Sequence, residues 1–279
     1  TAWRRRYVSL ALMAACAAYG AADDWAAAVL EYVPASPYPG FTNAQSALGP
    51  AARETIGFDF GTTGSVMVFQ PALDVVSIGH GGWLSLLMGG VVINDDDPVH
   101  PYGIDLIAYG NSFFSIRSGT FTYYSSPWTL LHGEQAEIWV SADTSAWFRA
   151  AGVYADDLLP TQSIDIHGAP SDYLKPVNPA LQSNDWFDGT WDYTNTVLAY
   201  DGAGGGAGVD LSALETDAGA PTSLTYCIAV RFVDVSGMGR STEIDAVARV
   251  ADVPEAQAAC VLLAAALYVR RMIAQVLGD

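Results

Sequence analysis

The sequence predicts an all-β fold, an antiparallel β-sandwich. Three observations carry that prediction. Between residues 23 and 252, apolar residues recur at every second position rather than at helical spacing. The runs are short and are separated by turns rich in glycine, asparagine and aspartate. No strand–helix alternation, heptad or internal repeat interrupts them, which sets an α/β fold aside. Many short strands at short spacing indicate a sandwich or a barrel.

The elements follow in order. Arg4-Arg5-Arg6 precede an uncharged run from Tyr7 to Ala22 that ends in small residues, the pattern of a secretory signal peptide whose helix occupies 1–22. Met13-Ala14-Ala15-Cys16 offers a lipoprotein cleavage box as an alternative end to that leader. The strands of the 23–252 ectodomain are predicted at Ile56–Phe60, Ser65–Phe69, Val75–Ile78, Trp83–Leu87, Gly103–Tyr109, Gly119–Tyr124, Glu134–Ser141, Tyr226–Val235 and Ile244–Val250. In the seventh, Ala136, Ile138 and Val140 share one face, while Glu137, Trp139 and Ser141 share the other. Residues 160–195, rich in Pro, Asp, Asn and aromatics, read as a long excursion. Gly202 to Gly208 reads as a flexible loop, and no Lys-Ser/Thr follows to make it a phosphate cradle. Val253-Pro254-Glu255 then lead into the apolar run Ala258 to Val269 and the basic stop Arg270-Arg271. That order predicts a sorting or anchoring tail over 253–279 with a short hydrophobic helix. A bilayer span needs about 20 residues, so transient membrane anchoring fits better than a permanent span.

The chain carries a net charge of −18. Within 23–252, seven Lys and Arg face twenty-eight Asp and Glu. A surface so acidic repels phosphate backbones, which excludes nucleic acid as a partner, and it favours cations. Cys227 is the one cysteine of the ectodomain, so no internal disulfide forms there. Between Tyr226 and Ile228 it reads as a small buried hydrophobe. Catalytic motifs are absent: there is no Gly-x-Ser-x-Gly, no His-Glu-x-x-His and no Cys nucleophile pattern. His80, His100, His132 and His167 each stand apart in loop-like sequence. Trp186, Trp191 and Tyr193 crowd into the polar excursion, where they suit either stacking on sugar rings or a small satellite core under a long loop.

Several blocks, in order, carry a family resemblance. They are Pro39-Gly40-Phe41-Thr42-Asn43, Val76-Ser77-Ile78-Gly79, Tyr102-Gly103-Ile104-Asp105-Leu106-Ile107, Ile138-Trp139-Val140-Ser141-Ala142-Asp143 and Glu243-Ile244-Asp245-Ala246-Val247. Together they resemble exported bacterial surface proteins that carry PEP-CTERM sorting tails. Ala256 stands where that family has a second proline after Val253-Pro254-Glu255. The predicted strand Glu134–Ser141, its polar turn and Trp147-Phe148 also resemble the hairpin of galactose-binding-like jelly rolls such as discoidin domains.

These resemblances imply an exported β-sandwich of jelly-roll type, processed by signal peptidase and by a sorting protease (exosortase), at the cell envelope surface or outside the cell. They also imply a structural Ca²⁺ where first and last strands meet. Asn94-Asp95-Asp96-Asp97 supplies oxygens beside the Asp105 strand, so the expected ligands come from Asp95, Asp97, Asp105, Glu243 and Asp245. The other reading makes Asp95–Asp97 a solvated turn and turns Asp105 and Asp245 to water. The functional expectation is a non-enzymatic surface or matrix protein, Ca²⁺-stabilised and binding extracellular polysaccharide through Trp186, Trp191 and Tyr193. The alternative is a carbohydrate-active enzyme of glycoside hydrolase type on the same scaffold.

Overall fold

The computed structural model describes residues 24–52, 75–96, 99–116, 128–157, 159, 161–162, 169–182 and 198–251. They form β1 (Ala26–Val33), β2 (Val76–Ser77), β3 (Trp83–Ile93), β4 (Leu106–Gly110), β5 (Phe113–Ile116), β6 (Trp128–His132), β7 (Ala136–Ser141), β8 (Phe148–Ala155), β9 (Ala207–Val209), β10 (Leu214–Glu215), β11 (Pro221–Thr222), β12 (Tyr226–Asp234) and β13 (Glu243–Arg249). Helix among them is confined to short turns such as Ala44–Ala47 and Pro101–Gly103. None is long and apolar enough to cross a membrane. The predicted strands at Ile56–Phe60, Ser65–Phe69 and Gly119–Tyr124 lie outside the described residues, as do the leader 1–22 and the tail from Val253 onward.

The strands build two main antiparallel sheets. The larger has the order β1-β3-β12-β7-β8-β10-β11 and the smaller the order β2-β13-β4-β9; β5 and β6 pair separately. Period-two alternation explains which side chains point inward. Leu84 and Leu86 of β3, Ile138 and Val140 of β7, and Val230 and Phe232 of β12 are fully buried. They share one core with Leu106 and Ala108 of β4, Val209 of β9, and Ile244 and Val247 of β13. The architecture is therefore β-sandwich-like. Burying each such Leu, Val or Phe contributes about 1.5–3 kcal/mol, so this shared core is the main source of stability.

The smaller sheet is covered on its outer side as well. Ile107 and Tyr109 of β4, together with Ala246 and Ala248 of β13, pack with Ala51, Ile104, Tyr173 and Val250. The Tyr109 hydroxyl donates to the Tyr173 carbonyl at 2.7 Å, and the Tyr173 hydroxyl donates to the Ala52 carbonyl at 3.2 Å. This double burial is why β4 and the Ala246–Ala248 stretch of β13 read as apolar runs rather than as alternation.

The glycine stretch 202–208 departs from the flexible loop expected of it. Residues 203–206 are buried, and Ala207–Val209 form β9 beside β4. The Tyr173 ring lies so close to Gly204 that a Cβ there would sit 2.0 Å from Tyr173 Cδ1. Glycine is used here for close approach, not for mobility. Cys227 is fully buried, as its neighbours predicted, and burial raises its thiol pKa.

Candidate metal centre

The end of the β7–β8 hairpin gathers carboxylates. Ala136 pairs with Ala155, so Glu134, two residues before that pair, and Asp156, one residue after it, fall at the same open end. Glu243 reaches the same place from the first position of β13, in the other sheet. One carboxylate oxygen from each of Glu134, Asp156 and Glu243 lies within 4.8 Å of the others. Asp156 and Glu243 are buried, and Glu134 is partly exposed.

The backbone fixes Asp156 with unusual force. It holds φ at 55°, in the left-handed region that aspartate tolerates better than most residues. Its Oδ1 accepts from the Asn111 N–H at 2.7 Å and its Oδ2 from the Glu243 N–H at 3.2 Å. Asn111 Nδ2 in turn donates to Glu243 Oε2 at 3.2 Å. Gly110 is pressed against the same residue, and a Cβ on it would sit 2.6 Å from Asp156 Cα and Cβ. Gly110→Ala must push β4 and Asp156 apart, with an expected loss of about 1–3 kcal/mol, read as a lower denaturation midpoint at unchanged m-value.

Electrostatically the trio is frustrated. Burial, reinforced by the Glu243 charge, raises Asp156 well above the usual carboxylate range. Burial also pushes Glu243 up to about 7, with the Glu134 and Asp234 charges adding to the rise. Neutralisation by a proton or by a cation relieves this repulsion. The donors are all hard oxygens, which suit Ca²⁺ or Mg²⁺ rather than a thiophilic metal. Three carboxylates offer at most six oxygens against the six to eight that Ca²⁺ takes, so waters would complete the shell. A cleft of about 250 Å³ lined by Glu134, Gln135, Asp157 and Arg240, among others, adjoins the site.

Of the five carboxylates expected to bind calcium, only Glu243 belongs to this trio. Asp105 and Asp245 do not face water, as one reading had them; both are buried. Asp105 Oδ1 accepts from the Asp95 N–H at 3.1 Å and from His100 Nδ1 at 2.6 Å, and its Oδ2 accepts from the Leu211 N–H at 2.7 Å. Both Asp245 oxygens accept from the Ala52 N–H, at 3.0 and 3.3 Å. Asp95 thus meets Asp105 through its backbone. Asp97 lies outside the described residues, as do Trp186, Trp191, Tyr193, Val253, Pro254, Glu255, Arg270 and Arg271. His100 is buried as the partner of Asp105, whereas His80 is exposed.

Glu134 and Asp156 were not singled out from sequence. Hairpin register alone does not find them: a turn centred near Asp143-Thr144 places residue 134 opposite residue 153, and the irregularity between Glu137 and Trp139 shifts the pairing on toward Asp156 and Asp157. Compared with known protein families and with curated proteins, the chain matches none.

Proposed function

We propose that the chain is an exported, non-enzymatic module of the cell surface or extracellular matrix, built as a galactose-binding-like jelly roll and stabilised by Ca²⁺. In this reading residues 1–22 and 253–279 are its PEP-CTERM-type address, removed by signal peptidase and exosortase, and its partner is extracellular polysaccharide. The observation that carries the reading is the trio Glu134–Asp156–Glu243, set between the two sheets of a chain with net charge −18. Calcium modules that work outside the cell bind with Kd of about 10⁻⁴–10⁻³ M, and that is the range expected of this site in the exported reading.

The test is a thermal melt of the purified chain in chelator, then in about 10 mM Ca²⁺ or Mg²⁺. At that Kd, calcium adds about 1–3 kcal/mol, a midpoint rise of about 3–10 °C. Asp156→Asn should remove the rise. An unchanged midpoint in Ca²⁺ would sink the calcium centre, and intact chain retained in the cytosol on cell fractionation would sink export.

One observation speaks for the enzyme alternative: Glu243 titrates near neutrality, where a general acid works best. Against it, the tryptophans with described side chains lie elsewhere. Trp25 packs on the outer layer of the smaller sheet, and Trp83, Trp139 and Trp147 hold arginines and glutamates on the larger one. Release of reducing sugar from a polysaccharide panel, lost in Glu243→Gln, would reverse the preference.

A further inference from the structure

The outer face of the seven-stranded sheet carries the same three-part arrangement twice. Glu31 on β1 accepts from Trp83 Nε1 at 2.9 Å and from Arg231 Nη2 at 3.4 Å. Glu137 on β7 accepts from Trp139 Nε1 at 3.1 Å and from Arg149 Nη1 at 2.7 Å. Each arginine is also held from a second side. Arg231 Nε donates to Ser85 Oγ at 2.7 Å, and its guanidinium lies 4.2 Å from the centroid of the Trp147 ring. Arg149 Nη2 donates to Glu215 at 2.8 Å, and its guanidinium lies 6.0 Å from the Trp139 ring centroid.

Register sets these groups in a line. Glu31, Ser85, Arg231, Trp139, Arg149 and Glu215 are successive cross-strand partners on six neighbouring strands. Five inter-strand steps of about 4.8 Å make a row about 24 Å long. Leu84, Ile138 and Phe232 alternate with it and fill the core behind. Isolated surface ion pairs add little stability, and long arginine side chains are ordinarily left mobile. Here indole planes and guanidinium forks are fixed before any ligand arrives, which lowers the entropy lost on binding.

We propose that this row is a platform for an extended, neutral polysaccharide. Indole faces at Trp139 and Trp147 take the C–H faces of sugar rings, while Arg149, Arg231, Glu31 and Glu137 exchange hydrogen bonds with the hydroxyl rims. Charge selects the occupant. The row has three glutamates against two arginines, in a chain of net charge −18, so a polyanion is repelled. The same net charge draws a polycation to the acidic surface at large, but within the row both arginines balance carboxylates and one negative charge is left over. Protein interfaces keep their centres poor in charge, whereas Arg231–Trp139–Arg149 occupy the middle of this row. An uncharged, hydroxyl-rich chain is what the face matches. The inference rests on the polysaccharide partner proposed above, but its test is independent of calcium.

The intact chain is run in native gels containing glucan, galactomannan, xylan or arabinan, with polygalacturonate and polylysine gels as charged controls. At least one neutral polymer should retard it. Trp139→Ala and Trp147→Ala should each weaken that retardation at least tenfold while the melting curve stays cooperative. Trp147 precedes β8 and lies at the edge of the row, so its variant guards against a folding artefact. Arg149→Lys, which keeps the charge but loses the fork, should weaken binding several-fold. Retardation by a neutral polymer that survives in both tryptophan variants overturns the platform, as do retardation in no neutral gel, stronger retardation with polygalacturonate, and polylysine retardation that is lost in both tryptophan variants. Retardation by a neutral polymer in a parent chain whose midpoint does not respond to calcium would leave the platform standing and sink only the calcium centre.

Discussion

Asp105→Ala is expected to destabilise the fold by about 3–5 kcal/mol, because it strips a buried carboxylate from three donors at once. The carboxylate joins segments far apart in sequence: the Asp95 N–H, the His100 ring and the Leu211 N–H all converge on it. Its own backbone is equally committed, since Asp105 N–H donates to the Val209 carbonyl and Val250 N–H donates to the Asp105 carbonyl. Alanine would leave His100 Nδ1 and the Leu211 N–H buried without an acceptor, and each unsatisfied group costs about 1–3 kcal/mol. For a domain of this size the thermal midpoint should fall by about 10 °C. Asp105→Asn keeps one acceptor oxygen but turns an NH₂ toward another donor, so an intermediate loss is expected. The same variant separates two roles for the acidic residues. If calcium sits at Glu134–Asp156–Glu243, its stabilising increment survives in Asp105→Ala; if Asp105 is a ligand, the increment disappears with it. A midpoint within 2 °C of the parent, read by circular dichroism, would show that these three hydrogen bonds are not what closes this end of the sandwich.

The larger sheet was legible because its central strands obey simple alternation. In β7 the predicted faces hold for Ala136, Ile138 and Val140, which are buried, and for Glu137 and Trp139, which are partly exposed; Ser141, expected on the outer face, is fully buried. Strands β4, β12 and β13 lie within a residue or a few of their predicted limits, since apolar residues, alanine among them, make up most of each. β1 was missed. Its first residues are alanines, and as an edge strand with register breaks at Ala26/Ala28 and Val29/Glu31 it needs only half an apolar face. β9, β10 and β11 span two or three residues, too few for any period to show. Glu134 and Asp156 share one hairpin, but they meet only because the pairing slips between Glu137 and Trp139, which alternation does not encode. The arrival of Glu243 depends on how one sheet is laid on the other, and no local pattern encodes that. Asp105 and Asp245 attracted notice as carboxylates among apolar neighbours; their burial is real, but N–H donors and a histidine satisfy them.

The remaining large effect is on the response to pH, where proton and cation compete for the same oxygens. In the folded chain Glu243 holds its proton up to about pH 7, against an ordinary value of 4.5. A group that binds its proton more tightly when folded stabilises the fold fully below the unfolded value, and that contribution fades as pH rises through the folded one. At about 1.36 kcal/mol for each pH unit of difference, chelated protein should lose about 3 kcal/mol between pH 4.5 and 7.5. Asp156 is displaced in the same direction and adds to the loss. Asp143 runs the other way: backbone N–H groups of Ala146 and Ser145 hold it at about 2, so its stabilisation is lost only in acid, below this window. Glu243→Gln mimics the protonated side chain. In chelator at pH 8 the variant should therefore be more stable than the parent, and its slope from pH 5 to 8 should be shallower, keeping only the part that the buried Asp156 carries. Saturating calcium should invert the order, because the parent regains its stability by exchanging a proton for a cation while the variant lacks a charged ligand. Urea midpoints at pH 5, 6.5 and 8, each with chelator and with calcium, read both effects together. A parent midpoint that does not move with pH in chelator would mean that the three carboxylates do not repel one another in the folded chain, and the case for a cation between them would go with it.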